Sequence, residues 1–230
     1  MSPLPYLACF ALMTAPAFGA TIVSLYNTGV DDAGVALPDG ATDSHYLLVF
    51  PGAQEGVPYV ATGSGGFPIP PWIGDSATSA WTTTLDPVTP LGPGSNTNIG
   101  VFADYYYETT FDMTGLNPQT AQIAGQVSYD NFLQDVQLNG QSTGISADAS
   151  NPGPSFGGWL PFSFDAADVA LLNGGVNTLT FIVRSAQMDG ANDYTGVRVE
   201  FLQREAAVIP EPSSFGLLAT GLLAIRRRRR

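Results

Sequence analysis

Lysine does not occur in this chain of 230 residues, and only eight arginines answer its twenty carboxylates. Five of those arginines are the last five residues. Residues 21–205 therefore hold nineteen acids against Arg184, Arg198 and Arg204, a formal charge of −16. A surface of that sign repels phosphate backbones, which excludes nucleic acid as a partner. Cysteine is almost missing too. Cys9 is the only one and lies in the first twenty residues, so the rest of the chain has no disulfide and no thiol chemistry. A single histidine, His45, is read as structural. No apolar run reaches the roughly 20 residues of a spanning helix. Against these shortages stand 44% hydrophobic residues, 26 glycines and 18 prolines, the composition of an ordered, turn-rich chain rather than a disordered one. About 185 residues suffice for one core.

The two ends differ from the middle. Met1 to Ala20 reads as a secretory leader: apolar Leu4–Met13, then Ala15, Ala17, Gly19 and Ala20, with cleavage expected after Gly19 or Ala20. Its first residues carry no Lys or Arg, a departure from the usual pattern. At the other end come Pro210-Glu211-Pro212, then Ser213 and Ser214. An uncharged stretch follows with Phe215, Leu217, Leu218, Leu222, Leu223 and Ile225, and last the block Arg226, Arg227, Arg228, Arg229, Arg230. The prolines impose extended backbone. A helix over 213–225 would rise roughly 20 Å, short of the ~30 Å hydrocarbon layer, and the arginines would stay on the cytoplasmic side. In this order the three parts resemble the PEP-CTERM sorting signal of Gram-negative surface proteins. The resemblance implies an exosortase as partner, transient contact with the inner membrane through the tail, and delivery to the cell surface or extracellular matrix. The expected division is a leader (1–20), a body (21–205) and a sorting and anchor tail (206–230).

Within the body, short apolar segments alternate with Gly/Pro-rich connections. Strands are expected over Thr21–Tyr26, His45–Phe50, Val57–Ala61, Ala80–Leu85, Ile99–Met113, Thr120–Ser128, Gln134–Asn139, Leu160–Phe164, Thr178–Ser185 and Tyr194–Leu202. Asn139-Gly140 predicts a hairpin turn, and Asp165 caps a short helix to Leu172. In Tyr194–Leu202, Val197, Val199 and Phe201 alternate with Arg198 and Glu200. The fold class is all-β, a jelly-roll-like antiparallel β-sandwich with a C-terminal hydrophobic helix after it. The segments Tyr129-Asp130-Asn131, Asp135–Gly140, Trp159–Phe162, Gly175–Phe181 and Thr195–Val199, in that order, resemble the galactose-binding-like jelly roll of carbohydrate-binding modules.

Sugar binding needs rings that stack on C–H faces, with polar groups beside them for the hydroxyls. The candidates are Trp72, Trp81 and Tyr106 with Asp130 and Asn131, drawn from a pool that also holds Trp159, Tyr105 and Tyr107. The alternative for each ring is a place in the core, and for Asp130 and Asn131 a turn. Asp31, Asp32, Asp39 and Asp43 are either ligands of a structural Ca²⁺ or a solvated acidic loop. No other cofactor is expected. Gly153-Pro154-Ser155-Phe156-Gly157 has the letters of a nucleophile elbow but sits in a proline-flanked loop, with His45 upstream of the serine. The expectation is a noncatalytic protein that binds exopolysaccharide, with a purely structural matrix component or a glycoside hydrolase as alternatives.

Overall fold

Alternation of buried and exposed side chains organises the body into strands. The structure is a computed structural model that describes residues 19–49, 56–63, 70–83, 103–148, 150, 153–185 and 195–209. Its strands are β1 (Gly19–Thr21), β2 (Leu47–Val49), β3 (Tyr59–Ala61), β4 (Trp81–Thr83), β5 (Ala103–Asp112), β6 (Gln122–Asp130), β7 (Phe132–Leu138), β8 (Gln141–Ser142), β9 (Leu160–Ser163), β10 (Val176–Ser185) and β11 (Gly196–Ala207). One short helix, α1 (Ala166–Val169), lies between β9 and β10. The first sheet runs β3-β4-β11-β6-β9, with β1 also on β11; the second runs β2-β5-β10-β7-β8. Every pairing is antiparallel. From β5 onward the chain crosses between the sheets at nearly every connection, which is the all-β sandwich the alternation predicts.

The core lies between the sheets. Val127, Val197, Val199 and Phe162 come from the first sheet, and Tyr107, Phe111, Val136, Leu138, Leu179, Phe181 and Val183 from the second. Phe162 joins the two layers, with its ring centroid 5.8 Å from Phe181 and 6.0 Å from Phe201. Gly125 makes room for that ring, because a Cβ there would stand 2.4 Å from the Glu200 carbonyl oxygen and 2.7 Å from the Phe162 ring.

Two local predictions hold at the level of hydrogen bonds. Asn139 and Gly140 have φ of 51° and 76°, the left-handed pair of a tight hairpin turn between β7 and β8. Asp165 caps α1 by accepting from the Ala167 and Asp168 N–H groups, while Asp168 accepts from the Asp165 N–H. Asn139 and Asn177 then tie the pieces together. The Asn139 amide donates to Asn177 Oδ1 (2.8 Å) and to the Leu171 carbonyl, and Asn139 Oδ1 accepts the Thr178 N–H.

The structure departs from the expected boundaries most at the two ends of the body; elsewhere α1 stops at Val169 short of Leu172, and β6 starts at Gln122 because Pro118–Thr120 forms a 3-10 turn. The first strand ends at Thr21 rather than Tyr26, because the chain turns at Ile22–Leu25 to put both of those side chains in the core. At the far end β11 does not stop at Leu202. A bulge between Phe201 and Gln203 leaves Leu202 exposed and reverses the parity, so the inward residue after it is Ala206. The sheet thus continues past residue 205. The leader up to residue 18 and the tail from Pro210, including the expected C-terminal helix, lie outside the described residues. No helix among the described residues is long and apolar enough to cross a membrane. The leader cleavage expected after Gly19 or Ala20 would fall within β1.

Leu138 is 0% exposed, whereas Gln137, on the opposite face, bonds to Asp135 Oδ2 at 2.9 Å. Leu138→Ala is expected to cost about 2–5 kcal/mol through the cavity it leaves, and Gln137→Ala less than about 0.5 kcal/mol. Urea midpoints of the two variants check this, and equal losses would contradict the register.

Candidate functional site

All three tryptophans gather on the outer face of the first sheet. Register places them there: Thr82 of β4 faces the core opposite Val197, so Trp81 points outward. On the same outer face Arg198 stands across from Ser128 of β6, and Glu200 across from Gln126. Two connections cover this face, the segment before β4 and the segment before β9. The first brings Trp72, whose ring lies 4.4 Å from Trp81. The second brings Phe156, stacked 5.7 Å from Trp72 at 21°, and Trp159, whose ring sits 5.1 Å from the Arg198 guanidinium. The Ile73 N–H donates to the Phe156 carbonyl at 2.9 Å, so the two covering segments hold each other.

Beneath them a guanidinium almost removed from water is paired with a partly exposed carboxylate. Arg198 is 2% exposed. Its Nε donates to Ser79 Oγ at 2.7 Å, Nη1 donates to the Gly74 carbonyl, and Nη2 lies 3.5 Å from Glu200 Oε1. Glu200 accepts from Ser79 Oγ (2.6 Å) and Ser76 Oγ (3.2 Å) at Oε1, and from Gln126 Nε2 (2.8 Å) at Oε2. Burial alone would push the Glu200 carboxyl up. The hydroxyl and amide donors together with the Arg198 charge outweigh it and hold the group below its ordinary range. Burial pulls Arg198 down, opposed by Glu200 and Asp75, and a guanidinium stays charged regardless. The arrangement offers half-buried rings at Trp72, Phe156 and Trp159 beside an ionised acceptor and an amide at Gln126.

The residues expected from sequence are distributed unevenly over this geometry. Trp72 is half-buried at the rim of the cluster. Trp81 is 0% exposed, and its indole N–H donates to the Ile73 carbonyl at 3.0 Å. It is therefore no stacking surface but the floor on which Trp72 rests, because the loop over β4 closes it off. Tyr106 belongs to the second sheet, in register with Ile182 and Val49, and is not brought to the tryptophans. Asp130 and Asn131 form the corner between β6 and β7. Asp130 is buried, the Asn131 amide donates to Asp130 Oδ1 (2.7 Å), and the Asp130 and Asn131 carbonyls accept from Thr195 and Ser155 hydroxyls. Their part is to turn the chain between sheets. Ser155, the serine of the elbow-like pentapeptide, donates its hydroxyl to the Tyr129 and Asn131 carbonyls.

The four early aspartates do not converge. Asp31 Oδ1 accepts the Ala33 and Val35 N–H groups, Asp39 Oδ1 the Thr62 N–H, and Asp43 the Gly29 and His45 N–H groups, while Asp32 Oδ1 lies 3.0 Å from His45 Nε2. Burial pushes the Asp43 carboxyl up, against its two amide donors and His45. No group of three acidic, imidazole or thiol side chains that could hold a metal ion occurs among the described residues. Asp31 and Asp43 pin local turns, the ordinary use of Asp beside free backbone amides, while Asp39 ties its loop to Thr62 and Asp32 meets the His45 ring.

Sequence reasoning sets Arg198 and Glu200 facing away from the core but misses the burial of Arg198, the partners Ser76, Ser79 and Gln126, and Phe156, which stacks on Trp72. The alternation in β11 shows that two charges leave the core face. Nothing local shows that two distant loops return to cover them.

The comparison with known families bears on the tail. Residues 208–230 match the PEP-CTERM protein-sorting motif. The motif marks the chain as an exported, exosortase-sorted protein of the Gram-negative cell surface. No curated protein and no solved structure matches the chain. Pro210, Glu211, Pro212, the apolar residues Phe215 to Ile225 and Arg226–Arg230 all fall within the PEP-CTERM match and outside the described residues.

Two outcomes follow from the site and the motif. Because the carboxyl of Glu200 is depressed in the folded state, the folded chain binds fewer protons than the unfolded one as pH falls through the ordinary value of 4.5. Its contribution is present above that pH and lost below it. Glu200→Gln is expected to cost about 1.5–3 kcal/mol at pH 7 and to flatten the stability profile in the acid range, measured by urea unfolding at several pH values. Deleting Pro210–Arg230 is expected to leave an exported but unsorted protein, recovered as soluble secreted material; retention at the surface would contradict the role of the PEP-CTERM motif.

Proposed function

We propose that the chain is a noncatalytic surface or matrix protein whose body binds a neutral exopolysaccharide on the outer face of the first sheet. The observation that carries this reading is the row of half-buried rings, Trp72, Phe156 and Trp159, set beside Glu200 and Gln126. Aromatic faces take the C–H surfaces of pyranose rings, and the carboxylate and amide oxygens accept from hydroxyl groups. Glu200 is already ionised and oriented by Arg198, Ser79 and Gln126, so it presents an acceptor without reorganisation. The body charge of −16 disfavours polyanionic polymers, which is why the ligand is neutral. A purely structural matrix role is favoured by one feature of the same cluster: Trp72 and Phe156 also pack on each other.

Affinity electrophoresis separates the two. The protein is run through native gels containing a neutral glucan or an acidic uronan. Retardation is expected in the neutral gel, weakened by Trp159→Ala or Trp72→Ala by about 1–2 kcal/mol, roughly five- to thirtyfold in affinity. No retardation in either gel would leave the structural role. Retardation unaffected by either variant would place the sugar elsewhere.

A further inference from the structure

The two ends of the described chain lie side by side. Gly19 is in register with Ala207, Ala20 with Ala206 and Thr21 with Glu205. Directly opposed Cα atoms of antiparallel strands stand about 5 Å apart. The residues just after the leader and just before Pro210 are therefore neighbours on one edge of the first sheet. Nor does a spacer separate the sheet from the sorting motif. Val208 bridges to Leu116, and the Ile209 N–H donates to the Gly115 carbonyl at 2.9 Å.

The same end of the sandwich is the apolar one. Val208 and Ile209 are 49% and 51% exposed, and Val23 is 74% exposed. Val23 follows Ile22, whose N–H donates to the Arg204 carbonyl. Val176, 64% exposed, opens β10 opposite Asp112, and its neighbour Gly175 accepts the Met113 N–H. Exposed β-branched side chains so grouped mark a contact surface. Where the chain leaves the structure says what the contact is: one end continues into the leader and the other into the PEP-CTERM tail.

We propose that this end is the membrane-facing pole of the precursor, with Val23, Val176, Val208 and Ile209 resting in the interfacial layer of a zwitterionic bilayer while the tail is held there. The inference rests on the reading of the tail as a membrane-held segment. Tethering raises the local concentration of the pole at the lipid surface, so a weak patch suffices. Asp112, Asp165 and Glu205 at the same end remain exposed at headgroup depth and disfavour anionic lipid. The corner at Asp130–Asn131 is at the other end of β6 and points away from the lipid.

The chain's only cysteine lies in the leader, so single labels are simple to place. The full chain carrying Cys9→Ser, with Val23→Cys, Val176→Cys or Ser150→Cys, is labelled with a polarity-sensitive maleimide dye and reconstituted in phosphatidylcholine vesicles. Ser150 is exposed and follows the Ala147–Leu133 bridge near the distal corner. Vesicle flotation reports the tether, and quenching by aqueous iodide reports the pole. With interfacial burial, quenching at positions 23 and 176 is expected to be weaker than at 150 by about threefold or more. Flotation with equal quenching at all three positions overturns this inference and leaves the tail reading intact. A chain that does not float overturns both.

Discussion

β11 lies inside the first sheet, so the backbone groups on both of its edges must find partners, and most of the architecture follows from how that is done. One edge is covered by β6 along nearly the whole length. The other is covered in pieces. β4 pairs with Gly196 and Val197, and β1 with Glu205 to Ala207. The gap between them is closed by residues that are not a strand. The Thr28 N–H donates to the Val199 carbonyl while Thr28 Oγ1 accepts the Val199 N–H, and Asn27 Oδ1 accepts the Phe201 N–H at 2.7 Å. A buried N–H left without an acceptor costs about 1–3 kcal/mol, so these two side chains do the work of a missing strand. Thr28 also donates to the Ala80 carbonyl, which fixes the approach to β4.

The outer face obeys a related constraint. Once loops cover Arg198, its charge must be paired and each N–H directed at an acceptor, or the cost reaches several kcal/mol. Glu200, Ser79 and the Gly74 carbonyl meet that demand, and Trp159 covers the guanidinium plane. Ser79 and Gly74 come from a segment that also carries Trp72, and the cover comes from the one that carries Phe156. The same contacts that keep the ion pair satisfied therefore hold three aromatic rings in one place. The aromatic cluster and the charge pair beneath it are one construction here.

Much of this was legible residue by residue. The Asn139-Gly140 turn, the Asp165 cap and the inward set Val136, Leu138 and Phe181 are consequences of local conformational preference and period-two alternation, and they stand as expected. The boundaries that shifted did so where a local rule was interrupted. At Leu202 a bulge reverses the parity, so alternation ends in the sequence although the strand goes on. At Ile22–Leu25 the chain gives up strand geometry to bury both ends of a turn. Trp81 could not be told from Trp72 by composition, since what separates them is a loop folding over one and leaving the rim of the other in water.

By itself, then, the sequence determined the address and the fold class. The PEP-CTERM match is a contiguous string whose meaning lies in its order, and strand alternation is written in neighbouring residues. Tertiary structure alone decided which charges would be buried, which aromatic rings would meet, and that the first and last strands would end side by side. Those outcomes depend on contacts between segments far apart in the chain, such as Ser79 with Arg198, Trp72 with Phe156 and Gly19 with Ala207. No local pattern encodes a partner at that separation, because which chain covers which face is settled only when the sheets close on the core.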